Sequence, residues 1–315
     1  MNGRTNRAGA RCAALALLAL TATGCAGARG PATPPAATTP GPTAAPRTAP
    51  PAMPTRQEQE RLHLAEQRLV ATCMRGRGFT YTATPLGGTG DAPPVDPYGS
   101  GDEARARAEG YGLAAFRARD AAERRTEERA RRTDPNHRYA ASLPPDRREA
   151  YDTALLGTRR DAVTVRLPGL GTLFTSADGC LSEARGTLYG DLRKWTRAKA
   201  VMSHLRTLTA AERERDPRWT RALDAWRSCM RKAGFPYGTP AEARLGVQDA
   251  GPDEERRTAV ADARCNRAAG LAKAGARTEE DHIGAAVAGR FREEADFHAR
   301  AVARALAGPA RTPGT

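Results

Sequence analysis

Four cysteines in the body of the chain constrain its fold more than any other feature. They are Cys73, Cys180, Cys229 and Cys265. An even number of cysteines in an exported chain indicates two disulfides, and four cysteines allow three pairings. A structural zinc site is disfavoured because no two of the four have the C-x-x-C spacing that such sites use.

A nine-residue motif occurs twice and contains two of these cysteines. Residues 73–81 read CMRGRGFTY and residues 229–237 read CMRKAGFPY, with six identical positions. Each copy follows a helical pattern of apolar residues. Gly78 and Gly234 fit the C′ position of a Schellman cap, where positive φ favours glycine and the next residue contacts the C3 side chain. The motif therefore predicts a capped helix end rather than a binding site.

The residues around the other two cysteines indicate which pairing forms. Residues 177–180 read ADGC and residues 261–265 read ADARC, and each segment begins or occupies an Ala-rich helical stretch. The two motifs resemble each other, and the segments around Cys180 and Cys265 resemble each other weakly. If each motif cysteine pairs with the cysteine that follows it along the chain, the disulfides are Cys73–Cys180 and Cys229–Cys265, and we predict this pairing. The repeat favours two divergent copies of one unit, and convergent use of the same cap is the alternative.

The composition favours helices. Leu, Ile, Val and Phe together make up 40 of 315 residues, with one Ile and nine Val, while Ala contributes 64. So few β-branched residues disfavour a large sheet, and the low apolar content excludes a polytopic membrane protein. We predict a mainly α, disulfide-stapled helical ectodomain. The alternation in VTVRLPGLGTLF adds one small β-hairpin near 163–174.

The first 24 residues are typical of a secretory signal. Three arginines precede an apolar run over 13–23, which is too short to span a bilayer. Ala22-Thr23-Gly24-Cys25 follows directly and resembles the lipobox of bacterial lipoproteins at Gly24 and Cys25, although Ala22 stands where that motif prefers Leu. The resemblance implies lipidation of Cys25 as the first mature residue. Cleavage after Ala28, which releases the protein and discards Cys25, is the alternative.

Residues 25–54 are Pro/Ala/Thr-rich and are predicted to form a disordered tether.

The remaining chain divides into helical unit 1 (55–208), helical unit 2 (209–307) and a disordered tail (308–315). Thr55-x-x-Glu58 and Thr209-x-x-Glu212 resemble capping boxes that begin helices. Further helices are predicted over 102–132, with Tyr111, Ala115, Ala118 and Ala122 on one face, and over 278–307. The side chains of Trp195, Trp219 and Trp226 are expected in the core.

No catalytic, cofactor-binding or metal-binding residue is predicted. The chain contains no G-x-S-x-G, S-x-x-K or H-E-x-x-H pattern. Glu294 and His298 share a helix face, but such pairs are common without a metal. Asp178 and Glu183 flank Cys180 and are expected to cap and solvate a helix.

The sequence resembles a group of uncharacterised secreted lipoproteins of actinobacteria. The resemblance rests on CMRKAGF, TAVADARC, YDTALLG and GCLSEARGTLYG behind the lipobox and the tether. It implies export and lipid anchoring, and it implies no activity or ligand.

The expected function is that of a lipid-anchored envelope protein. We predict a non-enzymatic binding or scaffold protein at the outer face of the cytoplasmic membrane, with a secreted hydrolase of cell-wall material as the alternative. The net charge of +14 favours anionic wall polymers or envelope proteins as partners. Export and interleaved acids argue against nucleic acid.

Overall fold

The fold is described from a computed structural model for residues 53–87, 96–158, 160 and 162–308. All of them belong to one compact unit, Pro46–Thr315. The predicted signal peptide, Cys25 and the tether up to residue 52 lie outside the described residues, as does the tail from residue 309.

The predicted mainly α fold is confirmed. In the described ranges the chain forms fourteen helices and one two-stranded antiparallel sheet. The elements in chain order are α1 Arg56–Gly76, α2 Glu103–Glu109, α3 Leu113–Thr133, α4 Pro135–Ser142, α5 Pro145–Leu156, β1 Ala162–Leu167, β2 Gly171–Ser176, α6 Cys180–Tyr189, α7 Leu192–Ser203, α8 Leu205–Leu208, α9 Ala210–Arg215, α10 Pro217–Lys232, α11 Pro240–Gly246, α12 Pro252–Ala269, α13 Leu271–Ala288 and α14 Arg292–Ala307.

Both copies of the repeated motif form the predicted helix cap. At the end of α1, Gly78 has φ +79° and the Phe79 amide donates to the Met74 carbonyl at 3.0 Å. At the end of α10, Gly234 has φ +86° and the Phe235 amide donates to Met230 at 2.9 Å. In each case the phenylalanine and the methionine lie in the same hydrophobic cluster. The likeness of the two segments is therefore a likeness of helix ends.

One of the two predicted capping boxes is wrong. The Thr55 side chain and Glu58 cap α1 reciprocally, as predicted. Thr209 instead donates its hydroxyl to the Leu205 carbonyl at 2.8 Å and does not cap α9. The Trp-bearing helix α10 begins later, because Pro217 occupies its first position and the Asp216 carboxylate accepts from the Arg218 amide.

The helix predicted over 102–132 is divided into α2 and α3. Gly110 and Gly112 both adopt positive φ between them. Tyr111 packs on the core at this break, whereas Ala115, Ala118 and Ala122 are exposed. The predicted common face is therefore wrong, because the two glycines change the chain direction after Tyr111. No residue of α3 is buried.

The helix predicted over 278–307 is also divided. It comprises the end of α13 and the whole of α14, and Gly289 separates them with φ −112° and ψ −102°. Both pieces still place apolar residues in the core. Val287 and Ala295 lie in one hydrophobic cluster with Phe291.

The hairpin predicted near 163–174 is present as β1 and β2, with Val165 opposite Leu173. The inward-facing Val165 and Leu167 pack against α7 residues. Two arginines of α7 cover the outer edge of β1: Arg193 donates to the Thr164 carbonyl at 2.7 Å and Arg197 to the Arg166 carbonyl at 3.2 Å. This edge strand therefore has hydrogen-bond partners on both sides.

The three tryptophans lie in the core, as predicted, and Trp226 is completely buried. Hydrophobic clusters include residues from both sides of position 208. Trp195 packs with Ala301, and Tyr98 packs with Trp219 and Trp226. The predicted division at residue 208 does not coincide with a gap in the core. An origin by repetition stays a prediction.

Both predicted disulfides are present. Cys73–Cys180 joins the last turns of α1 to the start of α6, and Cys229–Cys265 joins α10 to α12. Cys180 and Cys265 are buried. The separations along the chain are 107 and 36 residues.

Gly179 makes a close backbone approach just before Cys180. It has φ +90°, and an added Cβ would lie 2.4 Å from the Gly157 amide nitrogen. Asp178 does not cap α6, contrary to prediction. Its carboxylate instead accepts from the Thr158 amide at 2.8 Å, which ties the end of α5 to the start of α6. Glu183 forms an ion pair with Arg77.

The two disulfides are expected to contribute unequally to stability. A longer closed loop restricts the unfolded chain more, so the chain-entropy model gives about 5 kcal/mol for Cys73–Cys180 and about 4 kcal/mol for Cys229–Cys265. We expect the double variant Cys73→Ser/Cys180→Ser to unfold at lower denaturant concentration than Cys229→Ser/Cys265→Ser. Guanidinium titrations followed by circular dichroism measure both.

The reverse order of the two midpoints would show that native packing around the bridges, rather than loop length, determines their contribution. The wild-type protein with both bridges intact is the reference for the two midpoints.

Candidate functional site

A buried carboxylate joins three parts of the fold around Cys265. Asp262 of α12 is 2% exposed and accepts two hydrogen bonds. The Trp226 indole Nε1 of α10 donates at 2.8 Å, and the Tyr111 hydroxyl between α2 and α3 donates at 3.0 Å. Burial raises the pKa of the Asp262 carboxyl, and the two donors oppose this rise. Burial also raises the pKa of Tyr111 well above its usual range.

Two further polar side chains of α12 extend this network. The Asn266 amide donates to the Tyr98 carbonyl at 2.6 Å and accepts from the Ala272 amide at 3.0 Å. Glu255 accepts from the backbone amides of Tyr111 and Leu113 at 2.9 and 3.1 Å. It therefore supplies a hydrogen-bond acceptor to amide groups at the start of α3, which have no partner within the helix. Asn266 and Glu255 bond the backbone, whereas Asp262 bonds the side chains of Trp226 and Tyr111. The network therefore positions the segment before α3 on α10 and α12.

A second polar cluster links α10 to α13 near the surface. Arg218 binds Asp216 through two nitrogens, at 3.1 and 2.7 Å, and reaches Asp281 at 2.6 Å. The His282 Nε2 lies 3.1 Å from the same Asp216 carboxylate. The hydrogen bonds from Arg218, the largest cause, hold the pKa of Asp216 well below its usual range. Asp216 therefore stays ionised and joins the two helices.

Glu294 and His298, which share a face of α14, contact different partners. Glu294 accepts from Arg197 at 2.6 Å. His298 stacks on Trp195, which itself stacks on Tyr189 with ring centroids 3.6 Å apart. Burial lowers the pKa of His298, so the ring is neutral near pH 7. No group of three or more His, Cys, Asp or Glu side chains has metal-binding geometry within the described part of the chain.

Three arginines converge on one carboxylate where α2 meets α12. This arginine cluster is defined as Arg107 of α2 with Arg264 and Arg267 of α12. All three surround the carboxylate of Glu103, whose side chain is 10% exposed. Arg107 Nη2 lies 2.6 Å from Glu103 Oε2, Arg264 Nε lies 3.7 Å from the same oxygen, and Arg267 pairs with Oε1. The cluster carries three positive charges against one negative charge.

Sequence reasoning missed this cluster. The spacing of Glu103 and Arg107 is that of a helical ion pair, and Arg264 and Arg267 share a helix face. Each pattern was visible alone. Their convergence depends on the packing of α2 on α12. The sequence predicted one helix over 102–132, so a separate α2 packed on α12 was not expected. The one predicted modification site, Cys25, lies outside the described residues.

Comparison of the chain with protein families, with curated proteins and with solved structures found no match. In the described portion, every helix is too short or too polar to cross a membrane.

The stability contribution of Asp262 should depend on pH in a defined direction. Its folded-state pKa is raised, so its stabilising effect is complete below the unfolded value near 3.9 and is lost as pH rises through the folded value. Asn has no charge to bury. We expect Asp262→Asn to become more stable relative to the wild type as pH rises from about 3 to 7. Denaturant titrations at several pH values measure this difference.

Asp178→Asn is the matched comparison with the opposite sign. Hydrogen bonds from Ser176 and Thr158 lower the pKa of Asp178 to about 2. The stability that Asp178 contributes is therefore present above the unfolded pKa and is lost as pH falls toward 2. Asp178→Asn should lower the free energy of unfolding most near neutral pH. If both variants showed the same pH trend, burial would not be the cause at Asp262.

Proposed function

We propose that this protein is a lipid-anchored extracytoplasmic lipoprotein, held at the outer face of the cytoplasmic membrane through Cys25. It acts as a non-enzymatic binding or scaffold protein of the cell envelope. The single observation that supports this proposal best is the presence of two disulfides with a buried cysteine in each. Such bonds persist in oxidising compartments and are rare in the cytosol.

The N-terminal sequence supplies the means of anchoring. Gly24-Cys25 follows an apolar run, and two acyl chains on Cys25 give stable attachment where one is marginal. The 29 residues from 26 to 54 contain nine prolines. In an extended polyproline conformation they reach on the order of 90 Å, which lets the helical body contact material well away from the bilayer.

A binding role agrees with how the polar groups are used. Asp262 and Asp216, the two most buried aspartates, both link helices. Asp262 accepts from Trp226 and Tyr111, and Asp216 lies 3.1 Å from the His282 ring of α13. These structural contacts occupy both carboxylates. The arginine cluster instead has donors directed to solvent. Anionic wall polymers or acidic envelope proteins therefore fit as partners better than a hydrolysable substrate does.

Acylation is tested on the full chain expressed in a bacterium that processes lipoproteins. We expect mass spectrometry of the membrane-extracted protein to find a diacylated N-terminal Cys25. Cys25→Ala should move the protein from the membrane fraction to the medium or to an uncleaved precursor. Cys12→Ser removes a cysteine from the same segment and should leave the membrane fraction unchanged.

A mature N-terminus beyond Ala28 without lipid would establish the secreted alternative and overturn the anchoring proposal. The non-enzymatic part is tested separately. Turnover of a wall polymer, a peptide or an ester by the purified chain would contradict it.

A further inference from the structure

The arginine cluster differs from ordinary surface ion pairs in its balance of charge. Three guanidinium groups share the Glu103 carboxylate, and two of them approach the same oxygen, Oε2. The carboxylate neutralises one of the three charges. Two unit charges therefore remain within the reach of a single side chain, where they repel one another.

The cluster also has more hydrogen-bond donors than its acceptor can use. Each guanidinium offers five N–H donors, whereas a carboxylate has about four lone-pair positions. The arginine side chains are 58%, 64% and 62% exposed, while Glu103 is 10% exposed. The carboxylate lies beneath the arginines, so their remaining donors face solvent. Such an arrangement is suited to a second anion bound on the outer side.

The two helices beneath the cluster pack closely. Ala106 of α2 packs against Ala259 and Ala263 of α12, and all three are buried. Small side chains let the two helices approach closely. Near Gly101 the chain runs against α12, where an added Cβ would lie 3.2 Å from the Arg267 Cβ. Glu103 restrains one side of each arginine, which reduces the conformational entropy lost when an anion binds.

The arginines of the exposed helix α3 show the contrast. There Arg124 pairs with Asp120, and Arg132 pairs with Glu128, one acid for each base. Each of these i,i+4 pairs joins one guanidinium group to one carboxylate and is neutral. The arginine cluster instead brings three guanidinium groups from two helices to one carboxylate.

We infer that the arginine cluster binds phosphodiester groups of an anionic polymer outside the membrane. Guanidinium forks match phosphate oxygens in bidentate geometry. Neutralising an excess of two charges takes two singly charged groups, which a chain of repeating phosphodiesters provides. Arg257 lies exposed two helical turns before Arg264 and extends the basic surface along α12. This inference rests on the proposed extracytoplasmic binding function.

The test uses the full chain and a synthetic poly(glycerol phosphate) as the probe, with binding followed by titration calorimetry. We expect Arg264→Gln/Arg267→Gln to weaken binding about tenfold or more, since each lost charge-assisted contact is worth about one order of magnitude. The dependence of the binding constant on salt should also become less steep. Circular dichroism and the denaturation midpoint verify that the variant is folded.

The matched control is Arg125→Gln/Arg129→Gln on α3. It removes the same charge from an exposed helix, and neither arginine forms an ion pair with the described residues. We expect a change below about twofold, because binding at the cluster does not involve α3. Arg264→Lys/Arg267→Lys keeps the charge without the fork, and its affinity should fall between those of the wild type and the glutamine variant.

Three results would overturn the inference. Equal losses for the two glutamine variants would show a diffuse charge effect. Equal affinity of the wild type for polyglutamate would show that phosphate is not recognised. Binding to phosphatidylglycerol vesicles alone would assign the surface to lipid headgroups. Because the test measures polymer binding by the chain itself, it does not depend on acylation of Cys25, and the two proposals fail separately.

Discussion

Each disulfide is attached to the last turn of a long helix, one residue before the position at which the Schellman cap begins. The cap orients the chain after the helix through Gly78 or Gly234, and the covalent bond fixes the helix end to a neighbouring helix. The two effects act at the same place. A chain with few large aliphatic residues gains from this because its packing alone provides less free energy per helix. The disulfides therefore fix the relative positions of helices whose packing involves few large aliphatic side chains.

The buried network around Asp262 supplies the second kind of constraint. Burying a carboxylate costs free energy unless its oxygens accept hydrogen bonds, and both of them do. The donors come from α10 and from the break between α2 and α3, so the bonds define where these segments lie on α12. Cys265 lies three residues further along α12. A covalent bond and a polar network thus hold the same helix pair together.

Three physical situations can be distinguished among the described arginines. Some donate to backbone carbonyls at element ends, as Arg193 and Arg197 do along β1. Others form one-to-one pairs along solvated helices. The arginine cluster is the third situation, where three cations share one buried anion. The proposed envelope function needs only this one surface, where three guanidinium groups converge.

The amino-acid sequence by itself determined the helical class, the hairpin, both disulfide pairings and the two helix caps, because each depends on residues that are close in sequence or on a repeated local pattern. It did not determine the breaks at Gly110, Gly112 and Gly289, since a glycine inside a helical pattern is tolerated or breaks the helix according to what packs around it. Nor did it determine that Glu103 meets Arg264 and Arg267. Only the tertiary structure decided that, because the contact forms when small alanine side chains let α2 lie against α12.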